Sequence, residues 1–162
     1  MRRREKMNIS EVTDAAEKQR ITRLILEALP DWFGIPEARE EYIAGSADKP
    51  YFAAFDGDRP IGFVCLRKTG KDTAELYVLG VLKQFHRQGI GRELFKKAAE
   101  AAAQEGYSFL QVKTVRMGKY DDYDRTNRFY LALGFKEFEV FPTLWDERNP
   151  CQVYVMALDS VK

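Results

Sequence analysis

The segment Gln88-Gly89-Ile90-Gly91-Arg92 carries the clearest chemistry in the chain. It stands between an apolar run, Ala74–Leu82, and a stretch rich in Ala, Lys and Glu. Glycine removes side-chain bulk and lets an anion approach the backbone closely. The first N–H groups of a helix have no internal partner, and with the helix dipole they attract phosphate or pyrophosphate. Arg87 and Arg92 add positive charge to the same turn. Two familiar phosphate loops do not fit. A dinucleotide-binding turn wants a third glycine where Leu94 stands, and a P-loop wants a Gly-Lys-Ser/Thr ending that is missing. A plain strand-to-helix turn accounts for the same five residues, so the loop alone leaves both readings open.

Other chemistries have little to build with. His86 is the only histidine, which argues against a Ser-His-Asp triad or a His-rich metal site; no metal is expected. Cys65 and Cys151 lie in apolar, strand-like stretches without Cys-x-x-Cys spacing and read as small buried hydrophobes in a reducing compartment. Asp121, Asp122 and Asp124 lack the order of a calcium loop. Lys plus Arg is 26 against 25 for Asp plus Glu, a balance that gives no case for nucleic acid. The longest apolar run, Leu76–Leu82, is too short to cross a bilayer, and no apolar segment follows the basic head as in a secretory signal. A cytoplasmic protein without membrane or nucleic-acid partners is expected, with a disordered head, Met1–Lys6, ahead of one domain over residues 7–162.

The elements that must position the loop follow from periodicity and punctuation. Met7–Val12 suits a strand. Asp14 with Glu17 makes a capping box before a helix with apolar residues at Ile21, Leu24, Ile25, Ala28 and Leu29, and Pro30 stops it. Pro36 opens a second helix through about Ile43. Tyr51–Phe55 and Ile61–Leu66 flank the hairpin signal Asp56-Gly57-Asp58, and Ala74–Leu82 follows a turn at Lys71-Asp72. A helix over Gly91–Gln104 ends before Gly106; Phe109–Val115 is a strand; Asp124 or Thr126 caps a helix that stops at Gly134. Phe135–Phe141 and Gln152–Leu158 close the chain around a long loop. The order β-α-α-β-β-β-α-β-α-β-β calls for an α/β fold: a mixed sheet with helices on both faces and a right-handed crossover from Ala74 to Val115. Alternation puts Glu75, Tyr77 and Leu79 on one face of their strand and Leu76, Val78 and Gly80 on the other.

Arg128-Phe129-Tyr130-Leu131-Ala132-Leu133-Gly134-Phe135 reads as a helix, a glycine stop and a strand, one strand after the loop. With the Gly89–Gly91 turn, this pattern resembles the GNAT acetyltransferase superfamily, whose two motifs match Val81–Arg92 and Tyr130–Phe135. The resemblance implies a GNAT-like central mixed sheet. It also implies an N-acetyltransferase that moves the acetyl group of acetyl-CoA to an amine of a small molecule or peptide by direct attack in a ternary complex. Arg87, Gln88, Gly89, Ile90, Gly91 and Arg92 would hold the pyrophosphate. Backbone at Val81 or Leu82 would meet the pantetheine and the oxyanion. Tyr130 matches the tyrosine near the coenzyme sulfur; the alternative is a core aromatic at the end of an amphipathic helix. Glu75, fourteen residues before Gly89, matches the glutamate base of the histone-acetyltransferase branch; the alternative is a carboxylate on a solvated face, or one that only orients the acceptor. His86 stands where the family has Arg or Gln. Trp32, Phe33 and the stretch Phe141–Pro150 are candidates to face the acceptor. A monomer or homodimer fits, and a non-catalytic acyl-CoA sensor on the same fold is the competing reading.

Overall fold

A computed structural model describes residues 7–158; the expected basic head, Met1–Lys6, lies outside the described residues. β1 covers Met7–Glu11, and α1 covers Ala15–Glu27. The Asp14 carboxylate accepts the Glu17 N–H at 2.9 Å and so satisfies one of the orphan donors of α1. α2, Pro36–Gly45, opens on its proline. β2 (Tyr51–Asp56) and β3 (Arg59–Lys68) form a hairpin turned by Gly57, whose φ is +64°. β4 (Thr73–Val81), α3 (Ile90–Gln104) and β5 (Phe109–Val115) make the crossover. α4 (Asp121–Leu133), β6 (Lys136–Asp146) and β7 (Asn149–Ala157) complete the chain. The sheet runs β1-β2-β3-β4-β5-β7-β6, and only β4 and β5 are parallel neighbours.

The helices divide between the faces. A side chain at Gly80 would strike Ile25 of α1 and Leu29 just beyond it, whereas one at Gly62, opposite the adjacent Val81, would strike Leu94 of α3. Consecutive strand residues point to opposite faces, so α1 and α3 sandwich the sheet. Ala98, Ala99 and Ala102 of α3 are buried, and their small side chains let the helix lie close to the strands. Ile21, Ile25 and Leu26 do the equivalent work for α1.

The feature that matters for function is a break in the sheet. β4 and β5 pair only at Thr73↔Phe109, Ala74↔Leu110 and Glu75↔Gln111. β4 then continues to Val81 and β5 to Val115 without pairing, and a V opens between them. β5 is held in its diverging course by β7, with which it pairs from Phe109↔Ala157 to Val115↔Cys151. α4 anchors the far end of that arm through Asn127, which is wholly buried. Its Nδ2 donates to the carbonyls of Val115 (2.9 Å) and Tyr123 (2.7 Å), and its Oδ1 accepts from the Tyr154 hydroxyl at 2.6 Å.

Four local expectations change. Cys65 pairs with Val78 but Leu66 pairs with Leu76, so Tyr77 is an extra residue, a β-bulge. Beyond it the alternation shifts: Tyr77 packs on Gly45 and Tyr42 of α2, on the face that Gly80 presents to α1, and does not follow strict alternation. α3 begins at Ile90 and not at Gly91, because Gly89 itself is the left-handed N-cap at φ +80°. α4 begins at Asp121 after Tyr120; Asp124 lies inside its first turn and accepts the Gly118 N–H at 2.7 Å. The expected loop at 142–150 is strand through Asp146, with a tight turn made by the Asp146 carboxylate accepting the N–H groups of Arg148 (2.8 Å) and Asn149 (3.0 Å).

Replacing Asn127 tests the anchor. Asn127→Ala strands two buried groups, the Val115 carbonyl and the Tyr154 hydroxyl, and is expected to cost about 2–4 kcal/mol, which lowers Tm by roughly 5–15 °C for a chain of this size. A loss under about 0.5 kcal/mol in urea unfolding, the range of ordinary surface changes, would show that α4 and β5 are held together by other contacts.

Candidate active site

The turn before α3 has the geometry of an anion cradle. Arg87 (φ +64°) and Gly89 (φ +80°) are both left-handed, on either side of Gln88. Such a turn collects backbone N–H groups on one concave side. No side chain caps α3, so the N–H groups of Ile90, Gly91 and Arg92 open the helix without a capping oxygen. Ile90 is buried and fixes the turn to the core. Gly91 has a different reason from the one its spacing suggested. A Cβ there would stand 3.1 Å from Cζ of Phe129, so this glycine admits the α4 ring as well as keeping the helix start bare. Gln88 donates from Nε2 to the Gln84 carbonyl at 3.4 Å, back toward the chain.

β4 brings a row of backbone donors to the same place. Leu82 donates its N–H to the Ile61 carbonyl at 2.9 Å, and Val81 lies opposite Gly62. In an antiparallel ladder the bonding direction alternates, so Gly80 and Leu82 bond toward β3 while Leu79 and Val81 point into the V. Of the two expected backbone groups, Val81 therefore offers its N–H to the opening and Leu82 has given its own to Ile61. Leu79, which sequence reading passed over, joins Val81. The Val81 carbonyl accepts from His86 Nε2 at 2.7 Å. The histidine in place of the family's Arg or Gln thus ties the Arg87–Gly89 turn to the end of β4.

Glu75 sits at the apex of the V, in the last pair that joins β4 to β5. Its side chain is only 4% exposed, and its Oε1 accepts from Arg67 Nη2 at 2.7 Å and from Lys113 Nζ at 3.1 Å. Arg67 comes from β3; Lys113 comes from β5, beyond the last paired residue, and reaches back across the opening. The two cations offset the cost of burying this carboxylate. They grip one oxygen, and Oε2 has no hydrogen-bond partner among the described residues. The Arg67 guanidinium also lies 4.7 Å from the centroid of the Tyr77 ring.

Tyr130 lies inside the molecule, with 7% of its surface exposed. Its ring packs edge-on to Phe135 and tilted against Phe129 and Tyr154. Its hydroxyl makes no hydrogen bond to a described residue. Burial pushes its pKa well above the ordinary phenol value, with smaller contributions from Tyr42, Glu75 and Tyr123. Burial also pushes Tyr42 up to about 12. Glu75, Tyr42, Tyr123 and Tyr130 are thus within electrostatic reach of one another, across strands and helices that are far apart in the chain.

The residues offered for the acceptor divide. Trp32 donates its indole N–H to Thr126 Oγ1 (3.1 Å) and its carbonyl accepts from Tyr123 (2.7 Å), so it fastens the α1–α2 loop to α4. It also meets His86 edge-on at 5.8 Å. Phe33 packs on Tyr42, and Tyr42 on Tyr77. In the β6–β7 hairpin, Leu144 and Trp145 are exposed, but Asp146 spends its carboxylate on its own turn. Sequence reasoning missed Arg67, Lys113 and Asn127: their partners are on other strands and no local spacing announces them. Among the described residues no group of His, Cys, Asp and Glu side chains could hold a metal ion, and no helix is long and apolar enough to cross a membrane.

Residues 11–135 match the Acetyltransferase (GNAT) family, and the chain belongs to that family. It is 29% identical over 116 residues to an uncharacterized N-acetyltransferase of Chlorobaculum tepidum, an alignment covering 70% of this chain and 68% of the relative. The fold is shared with a protein from Desulfovibrio desulfuricans assigned to the same family (TM-score 0.79, 18% identity, 94% of this chain and 99% of that one). It is shared too with the ribosomal-protein-S18-alanine N-acetyltransferase of Escherichia coli (TM-score 0.73, 16% identity, 94% of each chain). An aminoglycoside 6'-N-acetyltransferase solved with coenzyme A gives a TM-score of 0.71 at 20% identity over 93% of this chain and 97% of that one.

Two expectations test this geometry. Gly89→Val puts a β-branched residue at φ +80° and fills the cradle. Wild-type protein with acetyl-CoA at about 100 times its Kd should gain roughly 2.7 kcal/mol, and the variant should gain nothing in a thermal-shift assay. Tyr42 and Tyr130 have folded pKa values above the unfolded phenol's, so their contribution is full below about pH 10 and is lost as pH rises toward about 12. Tm should fall between pH 10 and 11, and Tyr42→Phe should flatten that fall; an unchanged slope in the variant would contradict the burial of this phenol.

Proposed function

We propose that this chain is an acetyl-CoA-dependent N-acetyltransferase acting by direct attack of an amine on the thioester, without a covalent enzyme intermediate. The observation that carries the reading is the V between β4 and β5 with the uncapped start of α3 at its mouth. The pyrophosphate would lie on the N–H groups opening α3, between Arg87 and Arg92. The pantetheine amides would complete the unpaired edge of β4 as an added strand. A backbone N–H at Val81 or Leu79 would face the carbonyl oxygen as it becomes an oxyanion.

The acceptor amine must lose a proton before attack, since a lysine-like amine has a pKa of about 10.4. Glu75 is the base in this reading, acting through Oε2 and a water, with Oε1 pinned by Arg67 and Lys113. The attack forms the C–N bond, the C–S bond then breaks, and the thiolate leaves. Tyr130 is the donor to that sulfur. An ordinary thiol has a pKa near 8.5, and Tyr130 lies well above the usual phenol value. The phenol therefore stabilises the departing thiolate mainly by hydrogen bonding, with full protonation left to solvent. Neither Cys65 nor Cys151 is needed; both are buried, and burial raises both thiols.

The residues separate by kinetics. Tyr130→Phe should keep acetyl-CoA binding and lower turnover by about tenfold or more, the size of one lost charge-assisted hydrogen bond. Glu75→Gln should keep acetyl-CoA binding and lower turnover by at least about tenfold. Wild-type turnover in both variants, with chemistry shown to limit the rate, would leave an acyl-CoA sensor as the reading. The decisive survey is release of free CoA thiol across amino acids, polyamines, aminoglycosides and peptide N-termini.

A further inference from the structure

The geometry points to an acceptor that carries a carboxylate near its amine, an amino acid in chemical class and not a polyamine or aminoglycoside; this rests on the acetyl-transfer reading above. The argument is one of charge at the apex of the V. Glu75 brings one negative charge, and Arg67 and Lys113 bring two positive ones. One oxygen of Glu75 takes both cations, so the cluster keeps an uncompensated positive charge. That charge is within reach of solvent: the Arg67 side chain is 39% exposed and that of Lys113 23%, against 4% for Glu75. Lys113 Nζ has two further protons to donate, and Arg67 uses only Nη2 toward Glu75.

Among the described residues no second carboxylate bonds to Arg67 or Lys113; Glu41 acts on the Tyr77 ring electrostatically but pairs with neither cation. The side chains packed on the cluster are Tyr42 and Tyr77, which are neutral, and the neighbouring thiol Cys151, which burial keeps protonated. The carboxylate of Asp146, in the stretch offered to the acceptor, is engaged with the backbone of its own turn. A polycationic acceptor would meet like charge here. An amino acid would place its carboxylate on Lys113 and the open side of Arg67, and its amine toward Glu75 Oε2. The same cations lower the pKa of an adjacent ammonium and so help to supply the neutral amine.

The test compares each amino acid with its decarboxylated amine: phenylalanine with phenethylamine, leucine with isoamylamine, lysine with cadaverine. CoA release gives kcat/KM, and calorimetry in the presence of CoA gives acceptor affinity. The carboxylated member of at least one pair should be preferred by about tenfold or more, the usual size of one charge-assisted contact. Lys113→Met should erase most of that preference while acetyl-CoA still raises Tm; Arg67→Met is the second variant, and each leaves Glu75 one cation. Equal or better use of the decarboxylated amines, a preference untouched in both variants, or no binding and no turnover of any amino acid overturns the inference. Loss of acetyl-CoA stabilisation in the wild type would instead strike the acetyl-transfer reading itself.

Discussion

A buried carboxylate at the point where two parallel strands part is the constraint around which this molecule is arranged. Glu75 is the last β4 residue paired with β5, and it is nearly sealed from water. A charge so placed must be met by others, and its two partners come from either side, Arg67 on β3 and Lys113 on β5. Lys113 is the informative one. It lies past the end of the pairing and reaches back, so the ion pair replaces the ladder just where the ladder stops. Removing one partner would leave a buried charge short of compensation, a far larger penalty than losing an exposed ion pair.

The opening is then held by side chains from distant segments. Asn127 on α4 reaches β5 through the Val115 carbonyl and β7 through the Tyr154 hydroxyl, and its third hydrogen bond stays within α4, on the Tyr123 carbonyl. Trp32 ties the α1–α2 loop to α4, and its ring touches His86, which bonds the last carbonyl of β4. The α1–α2 loop, the Arg87–Gly89 turn and the helix that carries Tyr130 are thereby linked through one aromatic pair.

Much of this was legible in the sequence, for definite reasons. The Asp14–Glu17 cap, the Pro36 start and the Gly57 and Gly134 turns are local, and local chemistry decides them. Gly89 was singled out for its lack of bulk, and its left-handed N-cap at φ +80°, which moves the helix start to Ile90, was not read. Gly91 was half read: its spacing announced a bare helix start, but its contact with Phe129 depends on a helix forty residues away. The Tyr77 bulge was not legible, because an extra residue in one strand leaves no mark on its own alternation. Nor were Arg67 and Lys113, since two cations in strands look the same whether they face water or a carboxylate. The stretch Phe141–Pro150 was offered to the acceptor as a whole, and the turn made by Asp146 was not legible in it, because an Asx turn and a free acid have the same composition.

The central claim is that the unpaired edge of β4 receives the cofactor, and amide hydrogen exchange followed by NMR tests it residue by residue. The ladder phase puts the Leu79 and Val81 N–H groups into the V and the Gly80 and Leu82 groups onto β3. Saturating acetyl-CoA should slow exchange at Leu79 and Val81 by about tenfold or more, as expected when one hydrogen bond forms, and should leave Gly80 and Leu82 at their already protected rates. Uniform slowing along β4, or protection confined to residues outside the V, would contradict the account.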